Sequence, residues 1–373
     1  MTSPERIDVA IDGGRSAYPV LLRPGLLDEL GAIAREHAPR VRKWVVISDD
    51  QVAEHHGERA CDSLAASGSP APLFTFPAGE AHKNRHAWAG LTDALLAEGL
   101  GRDGGIVALG GGVTGDLAGF VAATYLRGIP VLQVPTSYVA MVDSAVGGKT
   151  GVDTPAGKNL VGAFHPPVAV VIDPQLTSTL PCAERPQGLA EAVKHGAIAD
   201  VDYLQQLEAD ADALLEAEPA AVQRMVRRSV ELKARVVSED EREAGLREIL
   251  NFGHTLGHAL EAASNFGLPH GSAVSVGMVL EARLGERLGV TEPGVADRLV
   301  EVLRQMALPV EVPGDLETDA VLEFTRTDKK VRAGRVRYVL LERLGQVAGS
   351  DGWSREVDVE SVRGVLARPD ATV

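Results

Sequence analysis

This chain has few cysteines, no long apolar run and fewer basic residues than acidic ones. Its 373 residues include two cysteines, Cys61 and Cys182. Their spacing suits neither a metal knuckle nor a redox pair, so both are expected to be reduced and structural. The opening Met1-Thr-Ser-Pro-Glu-Arg lacks the apolar core of a secretory signal. No uninterrupted apolar stretch is long enough to span a bilayer. The expectation is a cytoplasmic protein with no membrane partner. Lys and Arg number 37 against 52 Asp and Glu, a formal net charge of -15. That balance argues against a general nucleic-acid binder, which needs a basic surface. Hydrophobic residues make up 45% and charged residues 24%, a globular composition in a length that accommodates two domains.

What is present is a change of pattern along the chain. Short apolar runs at 43–48, 105–109, 131–134 and 168–172 read as buried strands. Helical stretches lie between them, such as 85–98 with Leu91, Leu95 and Leu96 on one face. Strands alternating with helices predict a mostly parallel, Rossmann-like sheet. Near Pro181 and Pro186 the character shifts to helical patterns over 188–197, 200–238, 255–263, 272–288 and 293–306, with an ambiguous late strand at 336–341. The expected division is an α/β N-terminal domain over 1–183 and a mainly α-helical, metal-binding C-terminal domain over 184–373.

The richest segment is Gly105-Ile-Val-Ala-Leu-Gly110-Gly111-Gly112-Val113-Thr114-Gly115-Asp116. Its Gly110-x-Gly112-x-x-Gly115 follows a strand and opens a helix, where glycines let a dinucleotide pyrophosphate approach the backbone. It lacks the acidic residue about twenty positions on that usually holds the ribose. Asp49, at the end of an earlier strand, can take that part, and Glu80 and Lys83 sit on another strand-end loop. Gly147-Gly148-Lys149-Thr150 is no Walker motif, because Asp143 stands where the first glycine belongs. Lys149 and Lys158, on two glycine loops, remain suited to a phosphate or carboxylate, and Asn159 adds a neutral partner.

His254 and His258 lie four apart, hence on one face of a helix, but without the central Glu of the zinc-protease motif. His270 follows, and upstream Glu191 and Lys194 lie three apart. A catalytic zinc site takes about three N/O ligands and an open position. Glu191 with two of the three histidines meets that count, and spacing leaves open which two. His37, His55, His56, His82 and His86 have no such company and are expected at the surface.

Taken with Tyr125-Leu-Arg127-Gly128, Val142-Asp143-Ser144, Gly157-Lys158-Asn159, Gly188-Leu-Ala-Glu191, Leu250-Asn251-Phe-Gly-His254, His270-Gly271 and Asp328-Lys329-Lys330, these blocks resemble the 3-dehydroquinate synthases of the sugar-phosphate cyclase superfamily. The resemblance runs along nearly the whole chain. It implies conversion of 3-deoxy-D-arabino-heptulosonate 7-phosphate to 3-dehydroquinate and phosphate, in the shikimate route to aromatic compounds. The implied course is transient oxidation by NAD, phosphate elimination, re-reduction and intramolecular aldol closure. The implied cofactors are NAD and a divalent metal, zinc or alternatively cobalt.

By the same resemblance Glu191, His254 and His270 are the metal ligands, which leaves His258 as a base or hydrogen-bond partner. Glu243 matches a proton-transfer position. Asp49, Glu80, Lys83, Gly111, Gly112, Val113, Asp116, Thr136, Ser137, Lys158 and Thr179 are implied for NAD. Arg127, Asp143, Lys149, Asn159, Lys194, Lys233, Arg247, Asn251, Lys329 and Lys330 are implied for substrate, without a choice between the last two. Lys149, Lys194, Arg247 and Asn251 are also expected in catalysis, and a homodimer is expected from the family. The chain departs from the pattern at His195, where Tyr is frequent, and at Ser272, where Glu is usual, which changes the charge beside a metal ligand. An inosose or valiolone cyclase is the nearest alternative, but Lys149, Lys233 and Arg247 all remain. A metal-dependent polyol dehydrogenase would need fewer phosphate-binding lysines.

Overall fold

The runs Lys43–Asp49 (β3), Gly104–Gly110 (β5), Val131–Pro135 (β6) and Ala169–Ile172 (β9) are strands, and the last three are buried along their whole length. Strands covered on both faces read as continuous apolar runs, which is why they are legible in the sequence. They join Glu5–Ile11 (β1), Ser16–Leu22 (β2) and Leu73–Phe76 (β4) in a seven-stranded sheet of order β1-β2-β9-β6-β5-β3-β4. Only the β1–β2 pair is antiparallel; every other pairing is parallel.

The computed structural model describes residues 3–155, 157–327, 336–349 and 352–367. The chain divides into two compact units, Met1–Pro181 with Ala217–Ser238, and Cys182–Glu216 with Glu239–Val373. A single cut at 183/184 differs from this division at 182–183 and over 217–238. The helix Pro219–Glu239 is tied to the first unit by Gln223 to Glu5 at 2.9 Å, Ser238 Oγ to the Ala10 amide at 3.0 Å, and Lys233 to Asp143 at 2.7 Å.

In the first unit the sheet register decides where chemistry gathers. Ser48 pairs with Leu109 and Gly110 with Pro135, so the carboxyl ends of β3, β5 and β6 finish together. Asp49, Gly111 and Thr136 stand there, the usual ligand edge of a parallel sheet. The helix Arg85–Ala97 is capped by Asn84 Oδ1, which accepts from the His86 and Ala87 amides. It buries Leu91 and Leu95 but leaves Leu96 55% exposed. Leu96 therefore does not share their face: one step along a helix turns a side chain by about 100°. The helix Gly112–Thr124 packs Leu117, Phe120 and Val121 into the same core as Val45, Ile47 and Ile106. The two expected lysine loops are corrected. Lys149–Thr154 (β7) and Gly157–Phe164 (β8) form an antiparallel hairpin, in which Gly151 and Gly162 allow close strand contact.

The second unit is mainly helical. The expected helix over 200–238 is broken into Val201–Ala209 and Ala211–Leu215, which belong to this unit, and Pro219–Glu239, which falls almost entirely in the first. Ala217 sits at φ +59°, and Pro219 is tolerated only in a first turn. His254–Ala263 and His270–Arg287 match the predicted pair, sharing a core of Leu256, Leu260, Val276 and Leu280 with Tyr338 and Val362. The ambiguous 336–341 stretch resolves into short strands at Arg337–Tyr338 and Leu341–Arg343. Among the described residues no helix is long and apolar enough to cross a membrane.

Candidate active site

In the first unit the glycine turn sits between β5 and the helix Gly112–Thr124, as its sequence predicts. A side chain at Gly111 would come within 3.3 Å of Ser137 Oγ, and one at Gly112 within 3.1 Å of Ser144 Oγ. No side chain caps this helix start, the kind of helix N-terminus whose amides can serve an anion. Asp49 closes the neighbouring strand end. One carboxylate oxygen accepts from the Val52 amide at 3.0 Å and the other from the Thr114 hydroxyl at 3.0 Å. The Thr136 amide donates to the Gly110 carbonyl at 2.9 Å, and Ser137 Oγ accepts from the Ala140 amide at 3.3 Å.

Lys83 is the charge centre of this unit. Its side chain is buried, with Nζ 2.7 Å from Glu80, 3.3 Å from Asp116 and 3.8 Å from Asp153. Burial works against the ammonium, but the three carboxylates outweigh it and raise its pKa above the ordinary lysine range. Burial raises Asp116, and Lys83 offsets part of that. Asp153 is pushed up to about 6, chiefly by burial and in part by Glu80. Glu80 is held low because Lys83 and Lys158 outweigh its burial. Thr179, expected at the cofactor, donates its hydroxyl to the Leu176 carbonyl at 3.0 Å and lies 2.8 Å from His56 Nε2. His56 is thus buried at 4% exposure, not a surface histidine as expected. It lies on the inward side of a helical turn that its spacing did not reveal.

The residues implied for substrate in this unit, with the NAD-type Lys158 among them, are spread over three places. Lys233 is buried, donating to the Asp143 carbonyl at 2.6 Å and to its carboxylate at 2.7 Å, across 90 positions of sequence. Lys149 and Lys158 stand on the two strands of the β7–β8 hairpin. Asn159 adopts φ +53° there, its amide donating to Asp153 at 2.8 Å. Arg127 is exposed at φ +68°.

In the second unit three side chains converge. Glu191 lies on the helix Arg185–Ala199, His254 opens one helix and His270 opens the next. Glu191 Oε1 is 3.4 Å from His254 Nε2 and 3.1 Å from His270 Nε2. Ligand atoms of these three residues all lie within 4.8 Å of one another. Burial pushes the Glu191 carboxyl up, but Lys194, paired to its other oxygen, and the two histidines hold it well below the usual range. One carboxylate and two imidazole nitrogens suit zinc. The His254 Nδ1 lies 3.1 Å from the Phe252 carbonyl, so Nδ1–H faces the backbone and Nε2 faces Glu191. The helices carrying both histidines approach closely. Gly253 sits at φ +77°, and a side chain at Gly277 would meet its carbonyl oxygen at 2.0 Å.

Around this cluster, Asn251 Nδ2 donates to Glu243 at 2.7 Å, and buried Arg247 donates to the Glu241 carbonyl at 2.5 Å. The His258 ring is 5.4 Å from His254 and 6.0 Å from His270. Ser272 accepts no charge in place of the usual Glu. Its amide donates to Gln187 at 2.9 Å, and Gln187 donates back to its hydroxyl at 3.3 Å. Lys329 and Lys330 lie outside the described residues. Two buried carboxylates escaped the sequence reading. Glu261 reaches His270 Nδ1 at 3.2 Å, and Glu281 accepts from the Gly253 amide at 2.7 Å and the Leu256 amide at 3.2 Å. The available signal was a glutamate inside an apolar helical run, as in Val279-Leu280-Glu281-Ala282.

The fold is that of the sugar-phosphate cyclases. A 2-deoxy-scyllo-inosose synthase complexed with carbaglucose-6-phosphate, NAD+ and Co2+ superposes with TM-score 0.88 at 26% identity, covering 97% of this chain and 99% of that one. The 2-epi-5-epi-valiolone synthase of Streptomyces hygroscopicus subsp. jinggangensis 5008, with NAD+ and Zn2+ bound, gives 0.84 at 28% identity, covering 94% and 96%. Within that class the sequence decides. The profile of the 3-dehydroquinate synthase N-terminal family matches residues 73–186, and that of the C-terminal family matches 188–331. The 3-dehydroquinate synthase of Symbiobacterium thermophilum is 46% identical over 335 residues, 90% of this chain and 94% of that protein. This chain belongs to the 3-dehydroquinate synthase family.

Proposed function

We propose that this chain converts 3-deoxy-D-arabino-heptulosonate 7-phosphate to 3-dehydroquinate and phosphate, as a phosphate-eliminating, ring-closing lyase. The observation that carries this reading is the convergence of Glu191, His254 and His270 on one point, in a chain whose two halves both match the synthase profiles. Inosose and valiolone cyclases share the fold at lower identity, and the polyol dehydrogenase reading has no support from the profiles.

When bound, NAD supplies a reversible hydride acceptor, and a divalent cation supplies a Lewis acid that polarises the reacting oxygen. Glu191, His254 and His270 would hold zinc or cobalt. Gly111, Gly112 and Val113 would leave the helix start open to the NAD pyrophosphate, with Asp49 toward the ribose. Thr136, Ser137, Lys158 and Thr179 would contact the same cofactor. Lys83 would act from inside its carboxylate cluster, orienting Glu80 and Asp116. Arg127, Asp143, Lys149, Asn159, Lys194, Lys233, Arg247 and Asn251, with Lys329 or Lys330, would hold substrate. Much of the catalysis is then positioning and electrostatics on a doubly anionic molecule. Glu243, held by Asn251, and His258 would move protons. A cytoplasmic homodimer is the assembly we propose.

The test is phosphate release from the heptulosonate phosphate with catalytic NAD and zinc, following NADH in parallel. Phosphate with 3-dehydroquinate and no net NADH is expected. Stoichiometric NADH, or no release while NAD and zinc are bound, would overturn the assignment. Turnover of sedoheptulose 7-phosphate instead would identify a valiolone-type cyclase.

A further inference from the structure

For His254 and His270 to hold one cation through Nε2, each must keep its remaining proton on Nδ1. His254 achieves this with the Phe252 carbonyl, 3.1 Å from its Nδ1. At His270 the corresponding atom faces a carboxylate. Glu261 Oε2 stands 3.2 Å from Nδ1, while Nε2 on the other side of the ring lies 3.1 Å from Glu191. Glu261 is 2% exposed and projects from the helix His254–Ala263, one turn beyond His258. A buried carboxylate costs several kcal/mol unless its oxygens find strong partners, so its placement behind an imidazole demands a reason.

We propose that Glu261 is a positioning residue for the metal site. It accepts the Nδ1–H of His270, fixes the tautomer that leaves the Nε2 lone pair free, and raises the basicity of that nitrogen. The inference rests on the reading of Glu191, His254 and His270 as the metal ligands and goes beyond it. A competing arrangement is visible in the same geometry. Ligand atoms of His258, Glu261 and His270 also lie within 4.8 Å of one another, as a second cation site would require. A second ion there would take Nδ1 of His270 while the first holds Nε2, leaving the ring no proton. A neutral imidazole has one lone-pair nitrogen and one N–H, so the hydrogen bond is the cheaper use of Glu261.

The test uses the full-length protein, stripped of metal and titrated with zinc alone against a competing chelator. Wild type is expected to bind one zinc. Glu261→Ala should bind one zinc about 10- to 100-fold more weakly, the usual loss for an outer-shell partner. Glu261→Gln, whose amide oxygen accepts the same hydrogen bond, should recover part of that loss. Long-range 1H–15N spectra of the zinc-loaded protein should show His270 protonated only at Nδ1 in wild type and lose that uniform signature in Glu261→Ala. Wild-type zinc affinity in Glu261→Ala overturns the proposal. So do two zinc ions in wild type with one lost in the variant, which would make Glu261 a ligand. His270→Ala separates the underlying reading: if it still binds stoichiometric zinc, the metal-site assignment itself fails. If only His270→Ala loses zinc, the assignment stands and Glu261 has no such role.

Discussion

Lys83 shows how a single residue's surroundings redefine its expected part. Read from sequence it sits on a strand-end loop, and the family resemblance implies it for NAD. In the fold it is buried, and three carboxylates surround it. The same cluster sets a pH dependence. Asp153 is pushed up to about 6, above the ordinary Asp value of 3.8, so the folded chain keeps a proton that the unfolded chain releases over that interval. Stability tied to that proton is present below the unfolded value and is lost as pH rises through about 6. Asp153→Asn retains an acceptor for the Asn159 amide and should remove this cost. It should gain about 1–2 kcal/mol over wild type at pH 7.5, and the gain should fade toward pH 4. Denaturant melts across that range would check it; a gain that grows on acidification would contradict the charge assignment.

At the scale of elements, legibility followed burial. Strands such as Gly104–Gly110 were readable because both faces are covered and the apolar run is continuous. The β7–β8 hairpin was not readable, because glycines that permit strand contact look like turn residues: a side chain at Gly162 would meet the Thr150 carbonyl at 2.1 Å. Helix ends were clearer than helix breaks, and the interruption at 217–219 left little trace beyond Pro219. Close approach also governs the metal helices. Gly277→Ala would force a Cβ to 2.0 Å from the Gly253 carbonyl, just before His254. Overpacking of this kind costs typically about 1–3 kcal/mol, and here it displaces a ligand as well. The expected result is a lower melting temperature together with weaker zinc binding; an unchanged zinc affinity would show that the helix contact does not position His254.

For the molecule as a whole, ligand binding and stability are linked. A cation held only by the folded arrangement of Glu191, His254 and His270 stabilises that state, by about 2.7 kcal/mol at a free concentration of 100 times Kd. Thermal melts should rise with added zinc and fall back with excess chelator. A transition indifferent to zinc, in protein shown to bind it, would mean that the ligands are equally available in the unfolded chain.

The sequence by itself determined the two-part character of this chain, its parallel sheet and its glycine turn. Those features depend on local pattern: the period of apolar residues, and glycines where a strand meets a helix. It also carried family resemblance, because ordered blocks persist over the whole chain. Only the tertiary structure decided what those blocks meet. Glu191 and His270 are 79 positions apart and come within 3.1 Å, and Lys233 finds Asp143 across 90 positions. Glu261 and Glu281 stand in apolar helical runs, but only the fold shows what their buried carboxylates meet: the His270 ring and the Gly253 and Leu256 amides. Spacing reports which side chains share one helix or strand; which helices pack together is set by burial and close approach among segments distant in sequence.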